Sequence, residues 1–198
     1  MTLYEFHSSL IQNAPMISKA LESIITSENH SSLVLVAEIG ETEKRLTEAG
    51  RKSANQDLVL ACTLAEEVRT FLIQVVCQLT SPPVSHKAQS FLSELFEEFS
   101  TLLEGIYLVG ELSLQAQAMV ASYAERASSI IIAQALQEKG VQAQAICTRH
   151  PHIANNAQAS DNFRTKAIVD FRDEISTLSQ DGTILVVPAS LQSLATTE

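Results

Sequence analysis

Hydrophobic and polar positions change their spacing several times along the chain, and each change marks an element. Residues 2–6 form a short candidate strand, followed by a polar turn at His7, Ser8 and Ser9. From Pro15 onward, Ile17, Ala20, Leu21, Ile24 and Ile25 recur at three- and four-residue spacing, which predicts a helix with Pro15 in its first turn. The unbroken run Leu33-Val34-Leu35-Val36 fits a strand covered on both faces of a parallel sheet, so the first segments make a β-α-β unit. Residues 41–49 predict a short helix ended by Gly50-Arg51-Lys52-Ser53. Asp57 can cap the next helix, with Ala61, Leu64, Ala65, Val68, Leu72, Val75, Val76 and Leu79 on one face. Pro82-Pro83 reads as a break. A second amphipathic helix from Ser85 carries Leu92, Leu95, Phe96, Phe99, Leu102, Leu103 and Ile106, and the two faces imply an antiparallel helical hairpin.

The longest signal is the stretch 112–147. Met119, Tyr123, Ala127, Ile130 and Ile131 keep helical spacing, Ser113 can cap the start, and Gly140 can end the helix in a left-handed turn. Val141, Ala143, Ala145 and Cys147 then alternate with Gln142, Gln144 and Ile146, so the period falls to two and a strand succeeds the helix. Beyond a polar loop, Phe163, Ala167, Ile168, Phe171, Ile175 and Leu178 define a helix, Gly182 a turn, and 183–187 a last apolar strand. The expected fold is α/β: a parallel-cored sheet of about four strands over 3–6, 33–37, 141–147 and 183–187, covered by helices. The helical excursion, about 57–110, projects from or packs at one end.

Residues within the long helix carry a family resemblance. Aspartate kinases of the amino-acid kinase fold have a helix with S-x-G-E-x-x-S, then L-x-x-x-G and a short strand. Ser122, Glu125 and Ser128 match, Ala124 replaces the glycine, and residues 135–141 fit the L-x-x-x-G segment and the start of the strand. An ordinary amphipathic helix before a strand would carry the same octet. The family also opens with K-F-G-G-T-S, then a strand ending V-S-A and a threonine. Here Glu5-Phe6-His7-Ser8-Ser9-Leu10, Val36-Ala37 and Thr42 stand in the corresponding order. Glu5 falls where the family's lysine neutralises phosphate, and His7 and Ser8 replace glycines that let backbone amides approach phosphate. Chance similarity between two β-α-β units is the alternative account of this part. The family's T-D-x-x-F-G-x-A loop resembles Ser160, Asp161, Phe163 and Ala167, with Arg164 in place of the glycine. Arg164 or Lys166 could meet a carboxylate.

The resemblance implies a three-layer αβα domain over 1–198, truncated relative to the family, with the nucleotide-binding half expected beyond residue 198. It implies Glu125 for a substrate ammonium group, with Thr42, Ser128, Asp161 and Arg164 as remnant substrate contacts. Glu5, His7, Ser8 and Ser9 make a degenerate phosphate loop. The six glycines are dispersed, and phosphoryl transfer depends on positioning and charge neutralisation at the phosphates. The leading expectation is therefore a non-catalytic aspartate-kinase-like protein with a remnant amino-acid pocket or a partner surface, needing no cofactor. One alternative is an active aspartate kinase completed by another chain, using ATP and Mg²⁺ to make 4-phospho-L-aspartate. The other is an interaction protein built on the helical hairpin. Partners consistent with these readings are an aspartate-like amino acid, a second copy or a complementing chain.

Composition narrows the remaining classes. Hydrophobic residues at 45% and charged residues at 18% fit a globular protein, with no apolar run of membrane-spanning length. Neither a signal-peptide core nor a basic N-terminal region is present, so the cytoplasm is the expected location. A formal charge of −10 with 13 scattered Lys and Arg argues against nucleic acid as a partner. Cys62, Cys77 and Cys147 are odd in number and far apart. Two of them lie on apolar helix faces and are expected as buried free thiols. Glu94, Glu97 and Glu98 read as a solvated helix face, and Cys147, His150 and His152 as a polar loop rather than a zinc site.

Overall fold

A computed structural model describes residues 2–26, 32–146, 175 and 182–191. Four parallel strands, β1 (Thr2–Phe6), β2 (Ser32–Val36), β3 (Ala143–Ala145) and β4 (Ile184–Pro188), form a sheet in the order β1-β2-β4-β3. The register pairs Phe6 with Val36, Val36 with Pro188 and Ala145 with Val186. The expected parallel α/β fold is present, and the last strand in sequence lies between β2 and β3. Leu33, Val34, Leu35 and Val36 are all buried, as a strand covered on both faces requires. Val34 and Val36 face the main core. Leu33 and Leu35 face a second cluster with Ile146, Leu185, Val187 and Leu191, against which Ile175 packs. Ile175 is helical, while the rest of the predicted 163–178 helix lies outside the described residues, as do Asp161, Arg164, Lys166 and the group Cys147, His150 and His152.

Five helices cover the main face: α1 (Ala14–Ile25), α2 (Thr42–Ala54), α3 (Leu58–Leu79), α4 (Pro82–Val109) and α5 (Leu114–Glu138). Side-chain caps fix three starts: Asn13 accepts from Met16 N at 3.1 Å, Asp57 from Leu60 N at 3.1 Å and Ser113 from Ala116 N at 3.2 Å. Gly110 and Gly140 end α4 and the α5 turn at φ 71° and 79°. The hairpin α3–α4 packs against α2 and α5 rather than projecting.

Three local expectations are corrected. Gly50 does not stop α2, which continues to Ala54. A Cβ at Gly50 would lie 3.4 Å from Leu112 Cδ1 and Val120 Cγ2, so the glycine is where the incoming chain and α5 approach the helix. Pro82-Pro83 opens α4 instead of preceding it, because the first helical N–H groups have no intrahelical acceptor and their loss is harmless. Cys62 and Cys77 are exposed, not buried. Each lies one residue beyond a buried position, Ala61 or Val76, and is rotated about 100° off the packed stripe of α3.

Helix α5 is the hub of the core. It is buried almost continuously from Val120 to Leu136 and touches α2, α4, β3 and β4. Phe99 of α4 is fully buried against it, 5.0 Å from the Tyr123 ring and 6.2 Å from Phe96. Replacing Phe99→Ala removes these contacts and leaves a cavity, so we expect a loss of about 3–5 kcal/mol of unfolding free energy. Urea denaturation checks this, with exposed Phe91→Ala as the control.

Candidate functional site

The carboxyl ends of parallel strands are where loops diverge and ligands gain access. In this chain β1 gives way to the short 3-10 turn Ser8–Leu10, and β2 leads through Ala37, Glu38, Ile39 and Gly40 into α2. Gly40 adopts φ 64°, and a Cβ there would sit 3.3 Å from the carbonyl oxygen of Gln12. The loop is therefore held close to the β1–α1 connection. Ile39 is fully buried, and its N–H donates to Ser128 Oγ at 2.9 Å while the Ser128 hydroxyl donates to Ala124 O at 2.9 Å. Ser128 thus anchors the β2–α2 loop to α5, and its hydroxyl is engaged on both sides.

A cavity of about 850 Å³ opens at this end of the sheet, lined by Ser8, Asn13, Glu38, Gly40, Thr42 and Glu43 among others. Thr42 is 1% exposed, and its hydroxyl has no hydrogen-bond partner among the described residues. It stands at the first position of α2, whose N-cap residue Glu41 makes no side-chain capping bond. The cavity combines a helix N-terminus with carboxylates at its rim. Burial, then the neighbouring Glu38, pushes the Glu43 carboxyl above its ordinary value.

Glu125 is half-buried on α5 and does not line this cavity. Its Oε2 accepts the Ser190 N–H at 3.1 Å and the Ser190 hydroxyl, so the carboxylate is seated at the carboxyl end of β4. Burial raises the Glu125 pKa most, the Ser190 bonds oppose that, and Glu43 and Glu38 push it further up. Those couplings join Glu125 to the carboxylates of the cavity wall. Of the two matched positions, Thr42 lines the cavity and Glu125 does not.

The remaining sequence-derived positions are dispersed around the same end of the sheet. Glu5 and His7 are exposed at the end of β1, with His7 Nε2 3.8 Å from Glu5 Oε2. Ser8 lines the cavity, whereas Ser9 is exposed and does not. Arg126 does not pair with Glu125. It is 6% exposed, holds Glu98 at 3.0 Å and lies 4.8 Å from the Tyr123 ring centre, which also takes Glu98 out of the purely solvated face read from the sequence. Sequence patterns assign no role to Ser190, Glu38 or Glu43. The two glutamates flanking Gly40 are a usable signal, but the Ser190 contact spans 65 residues and leaves no local trace.

No protein-family model matches the chain. Aspartokinase 1, chloroplastic, of Arabidopsis thaliana is 26% identical over 142 residues, covering 71% of this chain and 24% of the plant protein. The structure of E. coli aspartokinase III in complex with lysine and aspartate (T-state) superposes with a TM-score of 0.71 at 12% identity. The same enzyme with aspartate and ADP (R-state) gives 0.65 at 14%. Each superposition covers 94% of this chain and 40% of the aspartokinase III chain, so the chain spans less than half the length of the proteins it matches. At these identities the structures establish the fold, and the plant sequence points the same way: the chain is aspartokinase-like in sequence and in fold.

Proposed function

We propose that the chain binds an amino acid of the aspartate type at the carboxyl ends of β1 and β2, in a remnant of an aspartokinase substrate pocket, and does not transfer phosphate by itself. The observation that carries this reading is the buried Thr42 hydroxyl, without a hydrogen-bond partner among the described residues, at the N-terminus of α2 beside a cavity with a carboxylate wall. A ligand carboxylate would be drawn to the helix N-terminus, where uncapped N–H groups and the dipole favour an anion. The ammonium group would face Glu38 and Glu43, with Glu125 reinforcing the field. The aspartate bound in both E. coli aspartokinase III structures supports this ligand class.

The charge at the end of β1 opposes independent phosphoryl transfer. Glu5 adds a negative group where ATP phosphates would need a cation, and Ser8 carries a side chain where close backbone approach needs none. The isolated chain is expected to show no ATP turnover with aspartate and Mg²⁺. Tight Mg²⁺-dependent ATP binding that is abolished by replacing His7 or Ser8 would instead support the complemented-kinase reading.

Chemical-shift mapping with aspartate tests the pocket. Saturable shifts at Thr42, Gly40 and Glu43 are expected, and Glu43→Gln should weaken binding by roughly 1–3 kcal/mol through loss of one charge-assisted hydrogen bond to the ammonium group. A flat titration to millimolar aspartate rejects the pocket and leaves the helical surface as the functional element.

The raised Glu125 pKa has a measurable sign. The folded protein holds this proton more tightly than the unfolded chain, so between the ordinary carboxylate value and the raised one the native state binds more protons. Its contribution to stability therefore falls as pH rises through that interval. Urea unfolding of Glu125→Gln should show a flatter decline with rising pH than the parent, because the amide does not titrate.

A further inference from the structure

Five of the nine exposed large apolar side chains among the described residues, Val59, Leu60, Leu108, Val109 and Leu114, belong to one end of the helical layer. That end is where α3 begins, α4 stops and α5 begins, and it is tied together: Gln56 Nε2 donates to Tyr107 O at 2.7 Å, and Leu112 packs on Gly50. Leu108, Val109 and Leu114 are 81%, 75% and 85% exposed. A single exposed leucine needs no explanation, but a cluster at one tip marks an interaction surface, because each side chain left in water forgoes its burial. Leu108 is turned outward by its place in the sequence: two residues past buried Ile106, it points about 200° round the helix. No rotation of α4 that keeps Phe99, Leu103 and Ile106 buried also buries Leu108.

Charge at the tip decides what covers it. Between Lys87 and Arg126 the sequence has no Lys, Arg or His, and between Lys52 and Arg69 it again has none. Glu104, one turn before Leu108 on the same face, and Glu111 in the α4–α5 connection make no ion pair among the described residues. Glu104 also reaches α3: burial first, then the Glu104 charge, raises the Cys62 thiol pKa. The cations at the end of α2, Arg51 and Lys52, are held by Glu48 at 3.7 and 3.3 Å. Helix α4 has no basic residue in its last turn, so the negative end of its dipole faces the tip without a cation of its own. An isologous contact between two copies through this tip would bring two acidic rims together with no cation to offset them, and anionic lipid or nucleic acid meets the same repulsion. An apolar anchor point ringed by carboxylates is complementary to a basic amphipathic helix. We infer that this tip docks a basic amphipathic helix of another protein, with its apolar stripe on Leu108, Val109 and Leu114 and its Lys or Arg side chains at Glu104, Glu111 and the carbonyl end of α4.

A short helical peptide of Leu and Lys alone, with the leucines on one face, serves as the probe. A shuffled peptide of the same composition without an apolar face, and a Leu/Glu counterpart, serve as controls. Titration of the full chain followed by NMR should give saturable shifts at Leu108, Val109 and Leu114 with the probe only. Leu108→Ser combined with Leu114→Ser should weaken binding of the probe about tenfold, with thermal stability retained because both side chains are already exposed. Glu104→Gln combined with Glu111→Gln should weaken it as well and flatten its salt dependence. Should the serine variant fail to fold, the glutamine variant decides. Equal binding of the shuffled peptide overturns the inference, as do shifts spread over other acidic faces or unchanged affinity in either variant. Self-association in sedimentation that Leu108→Ser abolishes overturns it too, by making a second copy the occupant.

Discussion

Enclosure of α5 is the constraint on which the rest of the structure depends. A helix buried almost continuously from Val120 to Leu136 must find partners for most of its polar groups without water, and its octet from Ser122 to Ser129 is rich in polar side chains. The serines solve this locally: Ser122, Ser128 and Ser129 donate back to carbonyls of Met119, Ala124 and Glu125. The charged residues reach outward instead, Arg126 to Glu98 on α4 and Glu125 to Ser190 after β4. Each of those contacts also orders a neighbouring element, so the same polar groups that make the helix awkward to bury fix how α4, the β2–α2 loop and the end of β4 sit around it.

The acidic character of the candidate pocket is a product of that arrangement. Glu38 and Glu43 flank the Gly40 turn, and Glu125 approaches from α5, so three carboxylates share one field. Like charges in a partly desolvated place hold their protons more firmly, and a cationic group would relieve the repulsion. The N-terminus of α2 acts in the opposite sense. A zwitterion presents both signs at once, which suits such a site better than a simple anion or cation.

Much of the fold is legible in the sequence because its signals are local. Leu33 to Val36 fit a covered strand, Ser113 and Asp57 are caps with an apolar period behind them, and Gly140 ends its helix as expected. Gly50, the Pro82-Pro83 pair and the cysteines mislead for one reason: their meaning depends on what packs beside them. A glycine that admits Leu112 and Val120 looks like a stop, and prolines in a first turn look like a break. In the site, the matched positions Thr42, Glu125 and Ser128 come from the family resemblance. Ile39, the partner of Ser128, and Ser190, the partner of Glu125, lie 89 and 65 residues away, beyond the reach of any periodicity.

The order β1-β2-β4-β3 bears on how the chain reaches this state. During synthesis β2 and β3 emerge well before β4, yet they are not neighbours; the strand that joins them arrives only after the 38 residues between Ala145 and Ile184. Until then β2 has one free edge, β3 has no partner in the sheet, and Leu33 and Leu35 lack Leu185 and Val187 beside them. The helices can assemble on local contacts, but closure of the sheet is a late, non-local event, and the nascent intermediate exposes a β-rich apolar edge of the kind that aggregates or recruits chaperones.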